Sequence, residues 1–211
     1  MKRVLRFATS AILLVCANFA FGFYASAQQP SSASIVGRWR SLETSKGGIG
    51  AVYEFRSDGT VDFSPGAIVE MQWRIENNQL VVPPGTVGGD EQKYTLQWFS
   101  DSKLGLKTEA GVTELTRIGE RSHADKPIVG EWIEHREMAG RNLEAHWLFY
   151  PNSKLLFLMP FAIQRASYTI YGSTLHLKMS GLRTESRFEV KDNLLILSEL
   201  EGSQKDRYVR Y

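Results

Sequence analysis

Short runs in which apolar and polar residues alternate cover most of this chain, and turn residues separate them. In one run, Tyr53 and Phe55 alternate with polar neighbours until a turn signal at 57–59. Similar runs lie on either side of the Asn-Asn pair at 77–78 and the Ser-Asp pair at 100–101. Alternation with a period of two places one face of a strand in the core, whereas a helix needs apolar residues three or four positions apart. The pattern therefore predicts an all-β chain, with no segment of convincing helical period.

The alternating pattern occurs twice along the chain. The stretch IVGRW from Ile35 returns as IVGEW from Ile128, and PGAIVEMQWRIENNQL aligns without a gap to PFAIQRASYTIYGSTL. Such self-similarity indicates a duplicated structural unit. We predict three segments after the N-terminal region: a first copy at 35–118, the polar linker GERSHADKP at 119–127 and a second copy at 128–211.

Each copy is expected to fold as a small barrel. Its runs predict about eight short antiparallel strands with one apolar face. Such a sheet buries its apolar face most simply by closing on itself. The predicted fold is therefore two tandem small antiparallel up-and-down β-barrels.

The N-terminal region has the features of a signal peptide. Lys2, Arg3 and Arg6 precede an apolar stretch that ends in the small residues at 25–27. Signal peptidase accepts such a small-x-small site. We therefore expect cleavage of residues 1–27, a periplasmic or secreted protein, and no stable membrane insertion afterwards.

Removal of the signal peptide changes the charge and cysteine inventory. The chain has 25 Lys and Arg residues, and subtracting the three in the signal leaves 22 against 23 Asp and Glu, or a net charge of −1. Nucleic-acid binding requires a basic patch, which such a chain does not provide. The only cysteine, Cys16, lies in the signal, so disulfides, a thiol nucleophile and a thiolate metal site are excluded from the mature chain.

The motifs IVGRW, YEFRSDGTVDF, WRIENNQL and TELTRI resemble those of the small bacterial exported domains called lipocalin-like, within the calycin group. In that family a Gly-x-Trp motif begins the first strand, and an arginine near the end of the last strand packs over the tryptophan. The resemblance implies one structural set in each copy: Gly37, Trp39 and Arg117, then Gly130, Trp132 and Arg210. Ligand stacking on the two tryptophans is the alternative to this structural role.

Aromatic residues recur on the predicted inner faces of both copies. Most are expected to be core, because small barrels are filled by their own side chains. If a cavity for a small apolar or amphipathic ligand exists, Trp73 and Trp98 are the expected wall in the first copy and Tyr168 in the second.

One strand of the second copy is apolar on both faces. Where the first copy has VDFSPGAI, the second has LLFLMPFAI. A strand of this kind is covered on both sides or exposes a patch for something else to cover. Two interpretations follow, packing against the other copy or a surface for a protein or lipid partner, and both concern Leu156, Leu158, Met159 and Phe161.

The segment EHREMAGRNLEAH predicts a charged hairpin. A two-residue turn at 140–141 would place His135 opposite His146 and Glu137 opposite Glu144, a donor set able to hold a divalent metal. The matching positions of the first copy carry none of these groups, and the neighbouring aromatic residues lie on the other face. We therefore expect a solvent-facing hairpin and no metal site.

The inventory of catalytic groups is short. His123 lies in the linker and His176 in a predicted strand, and neither has a Ser-Asp neighbourhood that suggests a triad. No Gly-rich phosphate loop or cofactor motif is present. We expect a protein without cofactor that is not an enzyme, either a binding module for a small apolar ligand or a protein-interaction or cell-envelope structural module with solid barrels.

Overall fold

The structure is a computed structural model that describes residues 35–85, 89–121, 123 and 125–211. The predicted signal peptide at 1–27 lies outside the described residues. Those residues form sixteen β-strands. No helix in this part of the chain has the length and hydropathy needed to cross a membrane.

The strands are short and follow one another through tight turns. The first eight are β1 (Gly37–Ser41), β2 (Ile49–Phe55), β3 (Thr60–Gln72), β4 (Arg74–Glu76), β5 (Gln79–Val82), β6 (Gln92–Ser100), β7 (Lys103–Thr108) and β8 (Gly111–Ile118). The other eight are β9 (Gly130–Met138), β10 (Arg141–Phe149), β11 (Lys154–Pro160), β12 (Gln164–Tyr171), β13 (Thr174–Met179), β14 (Leu182–Lys191), β15 (Leu194–Glu199) and β16 (Lys205–Arg210).

Turn chemistry explains several of these boundaries. Asn77 and Asn78 both have positive φ, 48° and 63°, between β4 and β5. Ala139 and Gly140 have φ of 51° and 70° between β9 and β10. Two-residue turns with positive φ at both positions match the twist of the strands that they join, and asparagine and glycine adopt them at low cost. The predicted turn at 77–78 is confirmed.

Eight of the strands close into an antiparallel barrel. Its order is β12, β13, β14, β15, β16, β1, β2 and β3, and β3 pairs with β12 to close the ring. Along this ring each strand hydrogen-bonds two neighbours, so no edge is left unpaired. The all-β prediction and the closed antiparallel barrel are confirmed.

The remaining strands form a second run that we call the β4–β11 sheet. It begins where residues 66–72 of β3 pair with β11, continues through β10, β9, β8, β7, β6 and β5, and ends at β4. Only Trp73 separates β4 from β3. One end of the β4–β11 sheet, β4, therefore belongs to segment 60–76, and the other end, β11, pairs with the same segment.

Strand pairing cuts across the two predicted copies. The closed barrel combines β1–β3 of the first copy with β12–β16 of the second, whereas the β4–β11 sheet combines β4–β8 with β9–β11. The predicted linker at 119–127 joins β8 to β9, which are neighbours in the sheet. The spatial grouping of the strands therefore differs from the two sequence copies, because β3 runs on through Trp73 instead of turning back.

The buried side chains form three clusters. The closed barrel contributes Trp39, Phe55, Tyr168, Leu195 and their neighbours, and the β4–β11 sheet contributes Leu115, Trp132, Trp147, Phe149 and theirs. A third cluster of Ile68, Leu148, Leu156 and Leu158 covers the outer faces of β3, β10 and β11. Tyr150 and Tyr211 pack against this third cluster, which lies between the two main ones.

Both tryptophans of the Gly-x-Trp motifs are completely buried. The indole N–H of Trp39 donates to the Ile35 carbonyl at 2.7 Å, and that of Trp132 donates to the Ile128 carbonyl at 2.8 Å. An indole placed in this way fills the core and satisfies its one polar group. Their structural role is the one that the geometry supports.

The arginines that cover these tryptophans come from the opposite copies. Arg210 Cζ lies 4.2 Å from the Trp39 ring centre, and Arg117 Cζ lies 4.1 Å from that of Trp132. The pairing of Trp39 with Arg117 and of Trp132 with Arg210, implied by the family resemblance, is therefore wrong. The cause is the strand order, since β16 pairs with β1 and β8 pairs with β9.

The glycine of each motif makes room for the guanidinium group. Gly37 and Gly130 have φ of 132° and 131°, where side chains are rarely found. A Cβ at Gly130 would lie 2.6 Å from Nη1 of Arg117, and one at Gly37 would overlap Arg210 in the same way. Glycine is thus required by conformation and by space.

Candidate functional site

A groove of about 770 Å³ opens where the closed barrel meets the β4–β11 sheet. Arg40 of β1, Glu70 of β3, Lys154 of β11 and the side chains of Tyr150 and Tyr211 line it. Most pockets for small molecules in proteins measure about 300–1,000 Å³. The groove is therefore of a size that accommodates a small ligand.

The floor of the groove is apolar. Leu155, Leu156 and Met71 line it, and Leu156 belongs to the third buried cluster. Behind the floor, the Trp73 indole N–H donates to the backbone carbonyls of Lys154 at 3.0 Å and Tyr150 at 3.3 Å. Trp73 thus holds the β10–β11 turn, which carries part of the rim, in place from the core side.

Arg40 and Lys154 are two of the three cations that line the groove, and the third, Arg210, covers the Trp39 ring. Arg40 forms an ion pair with Glu70, and its Nη1 donates to the Ser41 carbonyl at 3.3 Å. Its Nε is buried and has no hydrogen-bond partner within the described residues. A buried donor without a partner costs about 1–3 kcal/mol, and because Nε has no accessible surface, a ligand in the groove does not reach it.

The other cation, Lys154, is exposed, and the described part of the chain gives its ammonium group no ion-pair partner. The two tyrosine hydroxyls complete the polar rim. Burial raises the pKa of Tyr150 and of Tyr211 above the ordinary tyrosine value. Both hydroxyls therefore stay protonated at neutral pH and are able to donate hydrogen bonds.

An ionic cluster joins the two copies beside the groove. Arg38 donates to both carboxylate oxygens of Glu131, at 2.7 and 2.8 Å, and Nδ1 of His146 lies 2.9 Å from the same carboxylate. Arg38 and Glu131 are the variable residues of the two Gly-x-Trp motifs. Arg38 Cζ also lies 4.8 Å from the Tyr211 ring centre. The position at which the motifs differ is thus one of the positions at which the copies contact each other.

The charge of Glu131 depends on these partners. Burial by itself raises the pKa of Glu131, but the hydrogen bonds from His146 and Arg38 outweigh it and lower the pKa from 4.5 to about 2. The carboxylate therefore remains ionised at any pH above that value, and its attraction to Arg38 persists over the same range.

The residues predicted for cavity walls, Trp73 and Trp98 in the first copy and Tyr168 in the second, do not line this groove. Trp73 is 6% exposed in the core of the β4–β11 sheet, with its ring 5.7 Å from Phe149. Trp98 is 39% exposed and lies edge-on to Trp132 at 5.9 Å. Tyr168 belongs to the closed barrel, where its hydroxyl donates to the Arg56 carbonyl at 2.7 Å.

The apolar strand proposed as a partner surface is covered by the chain itself. Leu156, Leu158 and Met159 are buried, and only Phe161 is partly exposed. Leu158 pairs with Ile68 of the first copy, so the covering comes from β3. Of the two interpretations, the burial of these side chains beside Ile68 of the first copy agrees with packing against the other copy.

The charged hairpin has a different register from the predicted one. Its turn is at 139–140, so His135 pairs with Glu144 and His146 pairs with Ile133. His146 is drawn to Glu131 rather than to His135. Within the residues that the structure describes, no group of three or more His, Cys, Asp or Glu side chains is placed to hold a metal ion.

A buried carboxylate inside the β4–β11 sheet escaped the sequence analysis. Glu134 is 5% exposed and accepts a hydrogen bond from the Trp147 indole at 2.9 Å. Arg136 donates to both of its oxygens, at 2.9 and 3.0 Å. Buried charges are ordinarily paired in this way, and the spacing Glu-x-Arg on one face of a strand is the signal that would have indicated it.

The groove residues share no motif, so no common signal marks them in the sequence. Arg40, Tyr150 and Tyr211 line one groove because the strands that carry or precede them converge in the fold. Cations and hydroxyls of this kind can contact an acidic group, and the methionine side chain can contact hydrocarbon. Comparison of the chain with known protein families, with curated proteins and with solved structures finds no match.

Proposed function

We propose that this protein is an exported, non-catalytic binding module that holds a small amphipathic molecule with an acidic group. The groove beside β3 and β11 carries this proposal, because it combines a suitable volume with an apolar floor and a cationic rim. The groove lies outside the barrel cores, so the proposed ligand site does not include Trp73, Trp98 or Tyr168.

The chemistry of the rim favours an acidic head group. The exposed Lys154 lines the groove, where an anion can reach its ammonium group. Hydrogen bonds between charged donors and a carboxylate are roughly twice as strong as those between neutral groups. The partly exposed side chains of Met71, Tyr150 and Tyr211 then contact the apolar part of the same molecule.

The architecture that we propose for this module is a pair of lipocalin-like barrels. Segment 60–76 contains one end of the β4–β11 sheet and pairs with the other, and the inward side chains of the sheet form one buried cluster, which supports a second closed barrel. The Gly-x-Trp motifs with arginine over the indole support the lipocalin-like resemblance. Export through residues 1–27 to the periplasm or the medium belongs to the same proposal.

Calorimetric titration with dodecanoate and dodecanol tests the binding function. We expect dodecanoate to bind more tightly, and Lys154→Gln to weaken it about three- to tenfold while leaving dodecanol unchanged, since a partly exposed ion pair contributes about 1 kcal/mol. Lys103→Gln, an exposed lysine on β7, is the matched control. Absence of binding, or equal loss for the acid and the alcohol in Lys154→Gln, would contradict the proposed seat.

A protein-interaction or cell-envelope structural module with solid barrels is the second candidate. The packing of aromatic rings within both cores favours it, for example Tyr53 against Phe55 at 5.5 Å and Trp147 against Phe157 at 5.2 Å. Phe99 and Val112, which are 55% and 45% exposed near Gly105, would then belong to the contacting surface. Failure of both titration ligands to bind supports this candidate.

A further inference from the structure

Four ladders connect the first copy to the second. They are β1 with β16, β3 with β11, β3 with β12, and β8 with β9. Within the first copy, β1–β3 form one set of paired strands and β4–β8 form another. No ladder joins these two sets in the described part of the chain. The second copy is divided in the same way, between β11 and β12.

The two exchanged ladders occupy equivalent positions. Thr60 pairs with Ser167, and Lys154 pairs with Gln72. In the internal alignment Thr60 corresponds to Lys154, and Gln72 corresponds to Ser167. The start of β3 thus pairs with β12, and β11 pairs with the end of β3. Because the start of β3 is equivalent to β11 and its end to β12, the exchange is reciprocal.

Side chains tie the copies together along these ladders. Asp62 of β3 accepts hydrogen bonds from Arg165 of β12 at 3.0 and 3.3 Å. The backbone carbonyl of Arg56, in the first copy, accepts a hydrogen bond from the Tyr168 hydroxyl of the second copy. The motif residues Arg38 and Glu131 form the bidentate pair already described.

We propose that the two copies form an exchanged pair, in which each copy is the binding partner that completes the other. The surface that receives the partner is the third strand, β3 or β11, and the partner that fits it is a repeat of the same type. Neither copy closes a ring from its own strands. The linker at 119–127 only connects two neighbouring strands, so holding the copies together depends on the ladders rather than on this covalent link.

Engineered disulfides distinguish the exchanged from the unexchanged pairing. Directly opposed residues in an antiparallel pair have Cα atoms about 4.5–5.5 Å apart, within the range that a disulfide spans. All variants carry Cys16→Ser, so the introduced cysteines are the only ones. Thr60→Cys with Ser167→Cys should form a disulfide in the folded full chain.

The matched control is Thr60→Cys with Gln72→Cys. These positions would pair if the first copy closed on itself, but here they lie at the two ends of β3, about 40 Å apart at 3.3 Å per residue. We expect no intramolecular disulfide in this control. Efficient cross-linking of 60 to 72, and none of 60 to 167, would overturn the proposal.

Cutting the linker provides a second, independent measurement. A protease site placed within 119–125 of the full chain allows the folded protein to be nicked, and native mass spectrometry then reports the species present. We expect a one-to-one complex of the two fragments whose melting temperature depends on concentration, because folding has become bimolecular. Two separately folded fragments after nicking would contradict strand exchange.

Discussion

Replacing Trp132 or Trp39 with alanine is expected to lower the melting temperature of the protein by about 10 °C. Both side chains are completely buried, and each carries a hydrogen-bonded indole N–H beneath an arginine. Removing a buried tryptophan costs about 3–5 kcal/mol through lost burial and the cavity that remains. For a chain of this size each kcal/mol corresponds to roughly 2–4 °C. Thermal unfolding followed by circular dichroism measures the shift.

Trp98→Ala is the control for this experiment. Its side chain is 39% exposed and its ring lies edge-on to Trp132, so its removal should cost clearly less than that of a fully buried tryptophan. Unchanged unfolding curves for both Trp39→Ala and Trp132→Ala would show that the motif tryptophans do not stabilise the fold. The effect should appear with and without ligand, because neither tryptophan lines the groove.

Glu131→Gln is expected to destabilise the protein at neutral pH, and the loss should shrink in acid. The folded-state pKa of Glu131 is lowered to about 2, against an ordinary value of 4.5. A depressed carboxylate pKa contributes stability that is fully present above the unfolded-state value and is lost as pH falls through the folded-state value. The relevant window is therefore pH 5 down to pH 2.

The size of this effect follows from the shift and from solvent access. Linkage sets an upper bound of about 3 kcal/mol for a shift of this magnitude. The Arg38 side chain is 34% exposed, so we expect about 1–2 kcal/mol after solvent screening. Urea unfolding of the wild-type protein and Glu131→Gln at pH 6 and at pH 2.5 should show a gap that closes in acid.

A double-mutant cycle separates this pair from the remaining charges. Arg38→Gln, Glu131→Gln and the double variant should give a coupling energy of about 1 kcal/mol or more, because the two side chains are in direct contact. Glu76→Gln removes an ion pair with Arg74 in which both side chains are more than 40% exposed, and it is expected to change little. Coupling near zero would mean that the motif residues do not join the copies.

The sequence was informative about strands and poor about their partners. Alternation around Tyr53 and the turn at 77–78 predicted elements that the structure contains, because both are local properties of the chain. The hairpin at 139–140 was placed one residue too late, since Ala139 adopts a positive φ that alanine rarely takes. That small error changed the partners of His135 and His146.

The groove could not have been predicted from motifs. Arg40, Lys154 and Tyr211 are far apart in the sequence, and none is in a pattern that marks a binding residue. They come together because the outer faces of β1, β3 and β11 meet where the copies cross. Trp73 was predicted for a cavity wall and instead supports the β10–β11 turn from behind, through the backbone carbonyls of Tyr150 and Lys154.

The sequence by itself determined that the chain is all-β. It also predicted a repeated pattern and, as one of two alternatives, a core position for each motif tryptophan. These properties depend on which face of a strand is apolar, and alternation encodes that face directly. Only the tertiary structure decided which strands pair. The two copies present nearly equivalent strand edges, so the same pattern satisfies pairing within a copy or between copies. The pairing between copies follows from Trp73 and residues 161–163, where the chain crosses from one group of strands to the other. As a result, Arg210 lies over Trp39 and Arg117 lies over Trp132.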